Sequence, residues 1–324
     1  EPGQHPLAAE GVTSLTNPAV KYLVPEEHYV VLKRGPVSAI IADNAAIDVP
    51  ELPGHKGRYN GLASLTHEKQ PRNIFVPTYA GLNLEHIHDG TTRVNQQLFE
   101  PREVPMELRI VDDQTVEVYQ GPTPMWKLES CGRYHLLEDG TIEYTFECIP
   151  REELFSQGFI GLFWASYIQT PREPGIHFLA RKKEEAKGEE WVYSISPKHG
   201  VEGTHPPAPP RPEVKLDPDS RLVLGDGYSK YVHTANWYYG VSNGMAYVAM
   251  FRPRDKVWIV QSPSGGGQDC PAWDFQWFIP NYKVGEAYGL TMRLAYVPYE
   301  SRDQVIRDTL PHRNALWHRE AVSK

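Results

Sequence analysis

His86 and His88 stand two residues apart in the stretch Thr78-Tyr-Ala-Gly-Leu-Asn-Leu-Glu-His-Ile-His-Asp-Gly90, where proton-handling and metal-capable side chains concentrate. If the stretch is extended, strand alternation sets Leu84, His86 and His88 on one face and Glu85 and Ile87 on the other, and Asp89-Gly90 ends the strand in a turn. Two imidazoles so spaced can converge on one sugar hydroxyl, one leaving-group oxygen or one metal ion. His177 and His233 lie in further strand-like runs, so His86, His177 and His233, with Tyr239, are the candidate catalytic groups for acid/base work. His86, His88 and His177 are the candidate ligands of a divalent ion, zinc or calcium, with an open position for water. The same spacing also suits a structural pair, one histidine satisfied at a strand edge and the other solvated, and these residues alone do not choose. On a regular strand Glu85 points away from the histidines and is a partner for an arginine, unless a bulge re-aims it.

A substrate would need further contacts. Residues 50–77 read as a long polar loop leading into this strand, and its Arg58, Tyr59, Asn60, His67 and Arg72 could share a cleft with the histidines. Arginine is the natural clamp for a carboxylate. Alternation groups Tyr231, His233, Trp237 and Tyr239 on one side of their strand, and Trp164, Trp237 and Trp273 are either stacking platforms for sugar faces or core. The sequence contains no Gly-x-Ser-x-Gly elbow, and Gly265-Gly266-Gly267 lacks the Lys-Ser/Thr ending and following helix of a phosphate loop, so it reads as a rim of the cleft.

The elements that position these residues are short strands. Among 324 residues are 29 prolines, 26 glycines, 18 tyrosines and 8 tryptophans, with no long run of helix formers, which is the composition of an all-β protein. Met106–Ile110 and Thr115–Tyr119 alternate around Asp112-Asp113-Gln114, and Thr141–Cys148 alternates after Asp139-Gly140, so both are hairpin arms. Residues 1–27 read as an extended N-terminal arm. Residues 198–214, with Pro206-Pro207-Ala208-Pro209-Pro210, read as a Pro-rich surface excursion that could roof a cleft. The strands on either side of it have the same character, so 1–324 is read as one domain, with Ser301–Leu310 as its one good helix. Cys131 and Cys148 sit on strands a hairpin could join, and either a bridge or buried thiols would fit.

The net charge of −8 argues against a nucleic-acid surface. No window of about 18 apolar residues exists, so no membrane-spanning helix is expected. The first residue is Glu1 rather than Met, either because the segment starts there or because a leader was removed. With a leader, a secreted or periplasmic location is expected. Oligomeric state is not legible.

The Tyr79-Ala-Gly-Leu-Asn-Leu-Glu-His-Ile87 block, the closing strand Arg293-Leu-Ala-Tyr-Val-Pro-Tyr299 and the order of strands resemble the galactose mutarotase-like β-supersandwich. That resemblance implies a large antiparallel two-sheet fold with few short helices, a sugar cleft, and a histidine acid with a glutamate base. The chain departs from the pattern in that no late glutamate matches, since Glu286 falls beside Gly285 in a turn. The expectation is a carbohydrate-active enzyme that cleaves a glycosidic linkage, as hydrolase or lyase, by histidine-centred chemistry on a saccharide, with or without the help of a metal ion. A sugar mutarotase or epimerase and a non-catalytic sugar-binding module are the alternatives.

Overall fold

The computed structural model describes residues 11–222 and 227–321. The two hairpins form where alternation sets them: β5 (Met106–Asp112) with β6 (Thr115–Gln120), and β7 (Leu128–Leu136) with β8 (Ile142–Pro150). They make one end of a nine-stranded antiparallel sheet, in the order β11-β10-β13-β14-β17-β8-β7-β6-β5. Its other strands are β10 (Ile176–Lys182), β11 (Glu190–Ser194), β13 (Tyr231–Ser242), β14 (Met245–Phe251) and β17 (Tyr288–Pro298). A five-stranded sheet, β12-β15-β16-β9-β4, lies against it and comprises β4 (Asn83–His88), β9 (Phe159–Ala165), β12 (Thr204–His205), β15 (Trp258–Ser262) and β16 (Ala272–Pro280).

The protein is all-β, with the main core between these two sheets. Alternation sends Trp164, Phe275 and Trp277 inward from the smaller sheet to meet Tyr144, Phe146 and Phe251 of the larger. Trp164 stacks on Phe275 at 5.1 Å, meets Phe146 edge-on at 5.0 Å, and donates its indole N–H to the Tyr144 hydroxyl at 3.1 Å. Trp164 is therefore core. So is Trp273, whose Nε1 donates to the Pro174 carbonyl at 2.9 Å.

The architecture differs from the two-sheet expectation by a third sheet, β1 (Tyr29–Arg34), β2 (Val37–Ala42) and β3 (Gly61–His67). β3 falls inside the stretch read as a loop. It is buried on both faces, so Gly-Leu-Ala-Ser-Leu-Thr-His shows no period of two to give it away. The helix beginning after Ser301 extends over Arg302–Ala321, through Pro311, rather than ending at 310. A single turn at Glu100–Glu103 precedes it in the chain; these two helices are α2 and α1 respectively.

The outer face of the nine-stranded sheet is also covered. Val305 and Leu316 of α2 pack on Trp237, Tyr239, Val248 and Met250. The N-terminal arm, from residue 11, runs over the other end, where Thr13 N–H donates to Glu147 at 2.6 Å and Leu23 bridges Ile110; residues 1–10 lie outside the described residues. The Pro-rich segment is more than a surface excursion. Its Thr204–His205 is the edge strand β12, and Pro207 bridges His233, an edge position that a residue without an amide donor can occupy. Cys131 and Cys148 are free buried thiols: Cys148 pairs with Ser130, so Cys131, one residue on, points to the opposite face.

Candidate functional site

A pocket of about 280 Å3 opens on the outer face of the five-stranded sheet, away from the main core. β4 supplies its chemistry through one irregularity. Leu84 pairs with Trp164 and His86 with Phe163, so Glu85 is an extra residue in a β-bulge. The consequence corrects the face assignment. Leu84 and Ile87 enter the core, while Glu85, His86 and His88 all line the pocket. Asn60 grips the start of the strand, accepting Leu84 N–H and donating to its carbonyl, each at 3.1 Å.

The floor follows from sheet register. His86, Phe163, Gln276 and Trp258 form one row across four strands, and Asp274 lies two residues before Gln276 on the same face of β16. The walls are Tyr59, Tyr79 and Tyr167, with ring centroids 4.7 Å and 4.9 Å apart in sequence around Tyr79, joined by Phe99 and Phe163. Arg221, His199 and Gly265 complete the lining, Gly265 belonging to the glycine loop read as a rim.

Glu85 is buried, and its Oε1 accepts from the Arg102 guanidinium and the Tyr167 hydroxyl. Arg102 is sandwiched between Tyr59 and Phe99, 4.2 and 4.5 Å from their centroids. Its turn, α1, is pinned from below: Asn44 donates to the Val104 carbonyl at 2.6 Å, Gln120 to the Pro101 carbonyl at 2.9 Å, and Glu100 accepts Met125 N–H at 2.7 Å.

His86 has a fixed tautomer. Its Nδ1–H donates to the Leu98 carbonyl at 2.6 Å, which leaves the Nε2 lone pair facing the pocket, 3.5 Å from Glu85 Oε2 and too far for a strong hydrogen bond. Burial holds its pKa below the usual imidazole value, against the pull of the Glu85 charge. Asp274 goes the other way. Burial, reinforced by the negative charge of Glu85, pushes its carboxyl well above the ordinary carboxylate range, although one oxygen accepts Ser166 N–H at 2.9 Å. His88 lies deeper, its ring edge-on to Phe278 at 5.8 Å and over Gly161, and burial lowers its pKa to about 3. Among the described residues His88 Nε2 and both amide atoms of Gln276 have no hydrogen-bond partner, although all are buried. Buried polar atoms of this kind are costly in a dry core and suit a polar ligand.

Of the residues singled out in the sequence, the pocket brings together Tyr59, Glu85, His86 and His88, with Gly265 at its rim. The others lie elsewhere. His177 is stacked between Tyr193 and Tyr239, each 4.6 Å away, on the outer face of the nine-stranded sheet beneath α2, and Trp237 shares that face. His233 is buried and bonds the Val257 carbonyl through Nε2 at 2.7 Å, with its pKa lowered to about 4 by burial. The expected meeting of His86 and His88 with His177 and His233 is therefore not what the fold produces, because β10 and β13 belong to the other sheet. Arg58 pairs with Glu103, Arg72 bonds Thr170 at 2.8 Å, and His67 accepts Lys69 N–H at 3.0 Å, all outside the pocket. Among the described residues no group of three His, Cys, Asp or Glu side chains is arranged to hold a metal ion.

Arg102, Tyr167, Asp274 and Gln276 were not singled out. The signal for the last two was present in Trp273-Asp-Phe-Gln-Trp277, where acid and amide alternate with aromatics in a strand buried on both sides.

No protein-family model matches the chain. No curated protein matches it either. Among solved structures it is similar to galactose 1-epimerase from Lactobacillus acidophilus NCFM, at 10% identity over 86% of this chain and 99% of that one, with a TM-score of 0.46. It is similar also to the α-N-acetylgalactosaminidase NagBb from Bifidobacterium bifidum, at 9% identity over 88% of this chain and 39% of the other, TM-score 0.48. A third is the heparan sulfate lyase HepC from Pedobacter heparinus, at 9% identity over 86% and 37%, TM-score 0.39.

Proposed function

We propose that the pocket binds a single sugar ring and moves protons on and off its O1 and O5, interconverting its anomers. The observation that carries this reading is that one pocket holds a tautomer-locked His86, its Nε2 lone pair turned to the pocket and its pKa lowered by burial, and a carboxyl, Asp274, that burial pushes towards its protonated form. A base and an acid whose pKa values are driven apart by their surroundings are the two roles that ring opening requires. In the forward step His86 Nε2 takes the proton of the anomeric hydroxyl, the C1–O1 bond becomes a carbonyl, the C1–O5 bond breaks, and O5 takes the Asp274 proton. After rotation about C1–C2 the same transfers run backward and close the ring on either face. The fixed negative charge of Glu85, 3.5 Å from His86 Nε2, stabilises the imidazolium formed between the two halves.

The tyrosine walls suit the C–H faces of a pyranose, and the unpartnered Gln276 amide suits its hydroxyls. The volume is at the small end for ligand pockets and favours one ring over a polymer strand. Cleavage of a glycosidic linkage has less support. Hydrolysis uses a second carboxylate as base or nucleophile, and Glu85 already has Arg102 and Tyr167 on one oxygen.

Anomer exchange is measured by polarimetry and by saturation-transfer NMR on freshly dissolved aldoses. Exchange above the uncatalysed rate that falls ~10²–10⁴-fold in His86→Ala supports the reading. Release of reducing ends from oligosaccharides with no anomer exchange would favour cleavage, and sugar binding unchanged in rate by either variant, His86→Ala or Asp274→Asn, would reduce the site to a binding module.

A further inference from the structure

A second cavity, of about 420 Å3, lies on the far side of the molecule from the sugar pocket, between β13 and α2. Its aromatic surface is Trp191, Trp237 and Trp317. Trp191 and Trp237 meet edge-on at 5.4 Å and 80°, and Trp317, on the last turns of α2, is 60% exposed at the mouth of the cavity. Beside them stands Arg313. Its guanidinium lies 4.6 Å over the Trp237 ring and donates through Nη2 to the Ile306 carbonyl at 2.6 Å, while Nε has no partner. Among the described residues no carboxylate pairs with it, and burial draws its pKa below the usual arginine value. A half-buried guanidinium without a counter-charge is uncommon, because its planar fork matches a carboxylate so well.

The backbone here is irregular as well. The register of β13 against β10 shifts where Ala180 faces His233, and Asn236, on the cavity wall, takes a left-handed conformation with φ of 55°. Bulges of this kind re-aim side chains, and they collect beside binding sites. Glu189 stands on the same rim, where its carboxylate accepts from the Thr234 hydroxyl.

We propose that this cavity is a second saccharide site, distinct from the proton-exchanging pocket, and that it takes a sugar ring bearing a carboxylate, such as a uronate residue of an acidic glycan. The exposed Trp317 stacks on the ring's C–H face, Trp191 and the edge of Trp237 close the cavity beneath it, and Arg313 receives the carboxylate. The inference does not depend on the reaction assigned to the other pocket.

The test uses the full chain and two probes, tri-galacturonate and neutral galactotriose, titrated by calorimetry with tryptophan fluorescence as a second readout. Tri-galacturonate is expected to bind saturably, to bind equally to the His86→Ala chain, and to weaken about tenfold in Trp317→Ala and in Arg313→Gln. Trp317 is exposed, so its replacement reads the site even if Arg313→Gln fails to fold. Absence of saturable binding by the wild-type chain, equal affinity for the neutral trisaccharide, or binding lost in His86→Ala and kept in Trp317→Ala would each overturn the assignment.

Discussion

Arg102→Ala would expose how the pocket is held. Arg102 and Glu85 are both 6% exposed, so removing the guanidinium leaves a carboxylate in a site that water barely reaches. Breaking such a pair by deleting one partner costs about 3–5 kcal/mol, far more than the near-zero value of a surface pair. The stacked contacts with Tyr59 and Phe99 go with it, at about 0.5–1 kcal/mol each. The sum is a sizeable part of the roughly 5–15 kcal/mol that a folded protein has in hand. Urea unfolding at constant slope is the assay, and with a slope of roughly 2–3 kcal/mol per molar the midpoint should fall by about 1.3–3.5 M. The discriminating variant is the double one. Glu85→Gln supplies a neutral acceptor for the Tyr167 hydroxyl, so Glu85→Gln with Arg102→Ala should be more stable than Arg102→Ala alone, with a coupling of at least ~1 kcal/mol. A double variant no more stable than Arg102→Ala would show that the loss is packing alone, and that Glu85 is not the charge this pocket is built around.

Burial pushes Asp274 towards its uncharged form, so Asp274→Asn should cost less stability than the several kcal/mol of disrupting a buried charge, while anomer exchange drops ~10²-fold or more; a loss of several kcal/mol would mean that the group is ionised. Gly161→Ala would place a Cβ 2.5 Å from the His88 ring, and with both residues buried the expected cost is about 1–3 kcal/mol in thermal or urea unfolding; an unchanged midpoint would show that the ring can move aside. His88 and His205, with pKa values lowered to about 3, and His233, lowered to about 4, bind protons in the unfolded chain below pH ~6.5 but not in the fold, so stability falls as pH drops from there towards 4. Each contributes about 1.4 kcal/mol per pH unit once the unfolded group is charged, and Asp274, whose raised pKa makes the fold bind an extra proton, offsets one of the three. A urea midpoint flat between pH 6.5 and 5 would refute this, and His205→Gln should remove one proton from the slope.

The strands are legible wherever one face is apolar and the other carries polar or charged side chains. The hairpins at 106–120 and 128–150 alternate because their outer faces carry charged residues such as Glu117, Arg133 and Glu143, and so the sequence marks both the element and its phase. β3 was hidden because both of its faces are dry, and α2 was cut short in the reading because a proline at 311 is an ordinary stop signal that this helix runs through.

The sequence by itself determined an all-β chain, a run of acid/base groups at 85–88, and a loop that delivers Tyr59 beside them. Those are local properties of side-chain type and period. Only the tertiary structure decided which groups meet. The bulge at Glu85 turned it toward the same hollow as His86 and His88, and pairing through β9 brought in Asp274 and Gln276 from 186 or more residues away, while His177 and His233 went to a different sheet. Strand order and register are set by long-range burial on two faces at once, and a reading that follows one strand at a time has no access to either.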